Sequence, residues 1–301
     1  LKTKKILKVA LLFTLILSVI IPVSPSYASS ASPPSFLMNT NKIYTYVSYS
    51  RDDNKRFYST ASFIGKTDKK DIWAFKDEGE IVSIKSIFFQ DKDGLKMGSF
   101  YEGKWYWYKQ LGLPLVEKNT WDFGHGQMQQ IISLNKTVKT SAGTFYNCVE
   151  IAEPGGVSYY APNAGEVLFV GKAGGITELV KIEDSHIGRV LIKQKDIKLY
   201  NPKGKVHRTL KKGEGLKVFK ENNDSFDVGG GYYVKKSKNT LFYTGSIYNV
   251  DKQMNIYSTK GKLYKKVPIG NTIRVYGFED GKYLIGGGYY INFDYYIQYD
   301  K

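Results

Sequence analysis

Shifted by 57 residues, the C-terminal part of the chain lies over itself without a gap. "IKLYNPKGKVHRTLKKGEGLKVF" from Ile197 falls on "MNIYSTKGKLYKKVPIGNTIRVY" from Met254. Tyr200 meets Tyr257, Gly204 meets Gly261, Gly213 meets Gly270, Val218 meets Val275, and Phe226 meets Tyr283. Gly229-Gly230-Gly231-Tyr232-Tyr233 then meets Gly286-Gly287-Gly288-Tyr289-Tyr290. A constant offset over that length marks two copies of one supersecondary unit. Whatever this part folds into, it folds into twice.

Each copy reads as short strands cut by turns. "IKLY" and "LKVF" alternate apolar with polar residues, while "NPKGK" and "STKGK" carry turn chemistry. Gly213 and Gly270 precede a strand, where a tight turn asks for positive φ. The triple glycine suits a bulge or a close backbone crossing, with the tyrosines filling the surface beside it. About fifty residues with five short strands fit a small closed barrel. In "LYNPKGKVHRTLKKGEGLKVFKENNDSFDVGGGYYV" the pattern resembles the bacterial SH3-like repeats of cell-wall proteins. It covers roughly 190–236 and 247–293. Where such domains often carry Trp before the final strand, this chain has Phe226 and Tyr283. The resemblance implies attachment to the cell envelope rather than catalysis.

Charge separates the two halves. Residues 189–301 hold 22 Lys and Arg against 10 Asp and Glu, net +12, whereas 29–188 hold 18 of each. Such a basic field draws polyanions. Lys203, Lys205, Arg208, Lys211, Lys212 and Lys217 form the candidate contact in the first copy. Lys260, Lys262, Lys265, Lys266 and Arg274 form it in the second. Teichoic acid phosphates and peptidoglycan carboxylates are the expected partners outside a Gram-positive membrane. Nucleic acid answers to the same charge, but export sets it aside. Tyr232, Tyr233, Tyr289 and Tyr290 are candidate glycan contacts, since such rings stack on sugars. Alternation gives the same tyrosines a competing place in the core. Two linked weak sites raise avidity.

The neutral half keeps switching between alternating runs and turns. "IYTYVSYS", "RFYSTASFIG", "IVSIKSIFFQ", "KWYWYKQ", "MQQIISLNKTVKT", "TFYNCVEI" and "ITELVKI" read as strands. "DKDG" at Asp91 and "YEGK" at Tyr101 read as hairpin turns. Apart from a short helix before Ile43, no helical period shows, and an antiparallel meander or half-open barrel follows. "TVKTSAGTFYNCVEI…VSYYAPNAGEVLF…ITELVKI" resembles an exported β-rich bacterial domain of unassigned role, related loosely to lipoprotein-carrier half-barrels. That resemblance implies an apolar ligand and brings no catalytic residue.

Catalytic and metal patterns are sparse. His125, His186 and His207 make no His-x-x-x-His or His-Glu spacing, so no zinc site is expected. Cys148 with His186 invites a cysteine-peptidase reading, yet Cys148 sits mid-strand, where a buried structural thiol is the simpler reading. "DKDGLKMGSFYE" from Asp91 has carboxylates at three positions of a calcium loop, but Lys96 replaces the glycine that loop needs.

The first residues, with Lys2, Lys4, Lys5 and Lys8 ahead of an apolar run from Val9 to Ile21, read as a secretory signal peptide over 1–28. The expected cut follows Ala28, no N-terminal lipid is expected, and the apolar run is short for a permanent membrane span. A single cysteine permits no internal disulfide, so stability must come from buried apolar area. The expected order is signal peptide 1–28, linker 29–36, neutral antiparallel β domain 37–185, and basic SH3-like units at 188–240 and 245–301. The fold class is mainly β: an antiparallel half-barrel or meander followed by two small barrels. The expected function is secreted, cell-wall associated and non-catalytic, with no cofactor. The rival readings are a wall hydrolase with a catalytic N-terminal half and an apolar-ligand carrier or sensor.

Overall fold

The computed structural model describes residues 33–49, 55–101 and 104–301. The expected leader, its cleavage site, the first part of the linker and the tip of the "YEGK" turn lie outside these residues. Among the described residues the chain is all β, and none forms a helix long and apolar enough to cross a membrane.

Six strands run up and down in chain order: β1 (Lys42–Tyr49), β2 (Arg56–Thr67), β3 (Lys70–Asp77), β4 (Ile84–Asp91), β5 (Gly94–Tyr101) and β6 (Lys104–Gly112). A second meander follows: β7 (Thr120–Asp122), β8 (Met128–Thr140), β9 (Gly143–Glu153), β10 (Gly156–Ala161), β11 (Gly165–Gly171) and β12 (Ile176–Asp184). β1 pairs antiparallel with β12, so the two meanders fuse into one sheet of 12 strands with β6 and β7 at its edges. Register shifts at Thr45/Tyr46, Phe63/Gly65, Leu95/Lys96 and Tyr159/Tyr160 mark bulges, which bend a sheet. The bending brings the edges almost together. Lys109 N donates to Phe123 O at 3.0 Å, and Trp121 Nε1 donates to Lys109 O at 2.8 Å. The result is a nearly closed half-barrel.

Its interior holds two apolar clusters. One gathers Tyr44, Trp73, Val138, Cys148 and Leu179. The other gathers Phe36, Leu111, Trp121, Ile131 and Ile151. The segment before β1 is not the expected helix. Pro33 and Pro34 disfavour one, and the backbone is instead held extended across the interior. Phe36 N donates to Gln90 Oε1 at 2.8 Å, Gln90 Nε2 donates to Pro34 O at 3.0 Å, and Asn163 N donates to Ser35 O at 2.8 Å. Phe36 is thereby fully buried.

The first copy contributes β13 (Gly188–Ile192), β14 (Lys198–Tyr200), β15 (Val206–Thr209), β16 (Gly215–Val218), β17 (Lys220–Glu221), β18 (Ser225–Gly229), β19 (Tyr232–Lys235) and β20 (Thr240–Tyr243). They form a sheet of order β16-β13-β20 and a five-stranded sheet of order β15-β14-β19-β18-β17. The second copy repeats this with β21 (Gly245–Tyr248), β22 (Met254–Ser258), β23 (Leu263–Val267), β24 (Ile273–Val275), β25 (Gly277–Glu279), β26 (Lys282–Gly286), β27 (Tyr289–Asn292) and β28 (Gln298–Asp300). Its sheets run β24-β21-β28 and β23-β22-β27-β26-β25. Each copy thus has eight strand segments, where the sequence shows five. The extra ones are two or three residues long, or lie outside the best-aligned stretch.

The triple glycines have a backbone cause. Gly229, Gly230 and Gly231 have φ of 98°, 61° and 75°, and Gly286, Gly287 and Gly288 have 85°, 62° and 78°. Three successive left-handed residues at each hairpin tip disfavour side chains with a Cβ.

The second copy does not stand alone. Ile247, Met254, Val275, Tyr283 and Ile291 share one buried cluster with Ile64, Ile72, Ala74 and Ile87 of β2, β3 and β4. Ile72 and Ala74 flank Trp73, whose ring packs on Tyr44 in the interior cluster. Both faces of β3 are therefore covered, which hides the alternation that would have revealed this strand.

Candidate functional site

The basic residues sit on turns and edges. The β14–β15 hairpin ends in a turn where Asn201 Oδ1 accepts from Lys203 N and Lys205 N, both at 3.0 Å. That arrangement holds Lys203 and Lys205 at the tip, and both are exposed. Every residue of β15 is exposed as well. Lys211 and Lys212 occupy the turn before β16, and Lys217 lies opposite Arg189 in the β13–β16 pair. Among the described residues, none of these five lysines has an ion-pair partner. Arg208 differs: Glu214 holds its guanidinium at 2.5 and 3.1 Å and keeps its own carboxyl below the ordinary range by that contact. Arg208 is thus committed within the molecule.

In the second copy Lys260, Lys262, Lys265 and Lys266 are exposed along the β22–β23 hairpin. Arg274 lies over the Tyr243 ring at 5.6 Å. The turn that carries Lys211 and Lys212 in the first copy carries Pro268 and Ile269 here. Counted by copy, 188–244 holds 14 Lys and Arg against 5 Asp and Glu, and 245–301 holds 8 against 5. The net charges are +9 and +3, so the basic field belongs mainly to the first copy.

The four tyrosines are half-buried and paired. Tyr233 stacks on Tyr200 with centroids 5.2 Å apart, and Tyr290 on Tyr257 at 5.7 Å. Tyr232 meets His207 edge-on at 5.0 Å, and Tyr289 meets Tyr264 at 4.3 Å. Tyr233 and Tyr290 thus each spend one face on their own copy. A shallow hollow of about 330 Å³ beside Gly286 and Gly288, walled by Tyr276, Leu284, Tyr289 and Tyr290, occurs in the second copy. In the first, Pro202, Phe219 and Asp227 stand where the second has Thr259, Tyr276 and Leu284 around the hollow.

The catalytic candidates lie apart from one another. Cys148 is buried in the interior cluster, donates to Phe145 O at 3.6 Å, and has its thiol pushed up to about 11 by burial. That favours the unreactive thiol. His186 is buried at the entry to the first copy against Phe219. Burial, then Lys217, Lys301 and Arg189, lower it to about 4, which keeps it neutral. His125 has φ 58° in an exposed loop beside Tyr106 and Tyr108. "DKDG" is the β4–β5 hairpin turn, with Asp91 opposite Gly94. Lys96 Nζ sits 2.7 Å from Asp91 and 3.5 Å from Asp93, placing an ammonium where a calcium loop would hold its ion. Among the described residues, no three His, Cys, Asp or Glu side chains gather as metal ligands.

Two features carried no clear signal in the sequence. On the outer face of β4–β6, Phe89, Trp107, Trp105 and Phe100 form a chain of ring contacts that continues to Tyr295 and Tyr296 of the second copy. Inside the half-barrel, Phe75, Phe88, Leu95 and Met97 wall a cavity of about 250 Å³ that Glu166 also reaches. The first had one hint, the "KWYWYKQ" run. For the second, the carrier-like resemblance implied an apolar ligand, but Glu166 looks like any polar residue of an alternating strand.

The fold defines an all-β protein with a nearly closed antiparallel half-barrel and duplicated small-sheet units. No family model matches the chain, and no curated protein matches it. Similar solved structures include a protein described as exported with a YmcC-like fold from Bacteroides fragilis, at 14% identity and TM-score 0.31, covering 51% of this chain and 100% of that one. A lipoprotein, so described, from Parabacteroides distasonis shows 12% identity and TM-score 0.32 over 51% of this chain and 100% of its own. The CBD of the endolysin LysPBC5 shows 19% identity and TM-score 0.21 over 39% of this chain and 97% of its own.

Proposed function

We propose that this is an exported, envelope-associated binding protein whose first C-terminal copy contacts anionic wall polymers. The second copy fastens that module to the half-barrel. The observation that carries the reading is the set of exposed, unpaired Lys203, Lys205, Lys211, Lys212 and Lys217 on a copy of net charge +9. An ammonium with no internal partner keeps its full attraction for an external phosphate or carboxylate. Repulsion among the lysines is relieved when a polyanion lies against them. Each basic residue near an anionic surface contributes about 1 kcal/mol. Five together therefore amount to a several-thousand-fold effect at most, before salt screening.

The test is co-sedimentation of the protein with purified Gram-positive walls, before and after removal of teichoic acid. Replacing the five lysines of the first copy by Glu should weaken retention at least roughly a hundred-fold. The same change at Lys260, Lys262, Lys265 and Lys266 should cost clearly less. Release by salt should accompany retention, since exposed contacts are screened. Equal losses from the two sets would overturn the assignment to the first copy. Retention in molar salt would overturn its electrostatic basis.

A further inference from the structure

The half-barrel interior poses a charge problem of its own, independent of the wall-binding reading. The cavity's walls are aromatic and aliphatic, and its polar lining comes from Ser59, Gln110, Thr177, Glu166 and the hydroxyls of Tyr46 and Tyr160. Among the described residues, no Lys, Arg or His lines it. Behind Glu166 stands a second carboxylate, Glu153, with the Ser158 hydroxyl between them.

One hydroxyl proton faces two carboxyl groups. Ser158 Oγ donates to Glu153 Oε1 and also lies 3.1 Å from Glu166 Oε1. A hydroxyl has one proton to give. Both contacts are therefore satisfied only when one of the two carboxyls carries a proton and donates it to Ser158. The other neighbours do not replace that proton. Gln129 Nε2 donates to Glu153 Oε2 at 3.3 Å, and the Tyr160 hydroxyl donates to Gln110 Oε1 at 2.7 Å. The Tyr46 hydroxyl faces Met38 Sδ at 3.8 Å. Among the described residues, the titratable groups around Glu166 are thus Glu153 from β9, Tyr46 from β1 and Tyr160 from β10, and none is a cation. Burial, reinforced by Glu153 and opposed by Ser158, pushes Glu166 up to about 7.

We propose that this cavity binds a small apolar molecule bearing one protonated nitrogen, which pairs with the Glu166 carboxylate. On entry the ligand's ammonium displaces the Glu166 proton to solvent, and the carboxylate gains the cation that no strand supplies. Its apolar body replaces empty space against Phe75, Phe88 and Leu168. Aromatic walls favour an ammonium over a neutral head group. An anionic ligand meets two carboxyls and is rejected.

The probes are phenylbutylamine and its neutral isostere phenylbutanol, titrated calorimetrically into the full chain. At about pH 8 the amine should bind at least roughly ten-fold more tightly than the alcohol, since Glu166 is then ionised. At about pH 5 the amine must compete with the proton, and its affinity should fall by roughly a hundred-fold while the alcohol's stays level. Glu166→Gln should remove the amine's advantage at both pH values and leave the alcohol bound, which also reports an intact cavity. Substituting Leu168→Trp should abolish both. The proposal is overturned if amine and alcohol bind alike at the higher pH. It is equally overturned if neither binds the native chain, or if the preference survives Glu166→Gln.

Discussion

The two C-terminal copies share their strands but not their surroundings, and one pair of positions shows how. In the first copy Glu221 and Lys236 form an ion pair at 2.7 Å. At the corresponding positions of the second, Phe278 and Phe293 meet edge to face at 6.1 Å. The pair that faces water is ionic; the pair beside the half-barrel is aromatic. The same trade recurs where Lys238 corresponds to Tyr295, whose ring stacks on Phe100 at 4.8 Å. A buried ammonium adds a further tie: Lys85 Nζ donates to Tyr295 O at 2.7 Å, and burial lowers it to about 8. Ser83 N and Oγ both donate to Gln298 Oε1, where the first copy has Leu241. Duplication supplied one scaffold twice. The second copy carries a docking face where the first carries charge.

The largest effect that could break this comparison comes from the paired core positions Phe226 and Tyr283. Each is almost completely buried, Phe226 stacked on Phe242 and Tyr283 on Tyr299. Truncating either to Ala should cost about 3–5 kcal/mol. The reach should differ. Phe226 belongs to a cluster of Val190 and Val218, with no residue of the half-barrel in it. Tyr283 belongs to the cluster that contains Ile64, Ile72 and Ile87. Hydrogen exchange should show Phe226→Ala loosening β13–β20 alone, and Tyr283→Ala loosening β21–β28 together with β2–β4. If both variants loosen the half-barrel equally, the copies are not independent in the way their cores imply.

How much of this was open to reading before the structure divides along physical lines. The repeat was legible because turn glycines and alternate core residues survive at a fixed offset. The half-barrel was legible where one strand face is wet, as in "MQQIISLNKTVKT", whose β8 alternates exposed and buried from Met128 to Ile132. β3 was missed because copy two covers its outer face, so Ile72, Trp73 and Ala74 are all buried. The lysines were visible as a group, but their unequal surroundings were not. That difference depends on Glu214 capturing Arg208 and on which copy docks, and neither is a property of local spacing. The cavity left no trace in local patterning beyond the carrier-like resemblance, since an unfilled volume is a property of many strands at once.

A smaller effect sharpens the comparison at the interface itself. A Cβ added at Gly65 of β2 would overlap the Phe278 ring, so only glycine lets that ring lie against the sheet. Gly65→Ala should cost about 1–3 kcal/mol through overpacking. Limited proteolysis should then open the second copy while cleavage in the first stays unchanged. Equal sensitivity of both copies would place the strain elsewhere in the chain.

The smallest effect tests what the copies have in common. At Gly230 and Gly287 the nearest heavy atoms to an added Cβ are Tyr232 Cδ2 at 3.6 Å and Tyr289 Cδ2 at 3.4 Å, so neither site clashes. Their φ values of 61° and 62° alone set the penalty, about 1–2 kcal/mol for an L-residue with a Cβ. Gly230→Ala and Gly287→Ala should therefore destabilise by matching amounts in denaturant titrations of the full chain. The match matters because docking touches only one copy. If Gly287→Ala costs clearly more than Gly230→Ala, attachment to the half-barrel reaches as far as the hairpin tip. If the two agree, the tip is a local device, fixed by three left-handed residues and indifferent to what its copy is packed against.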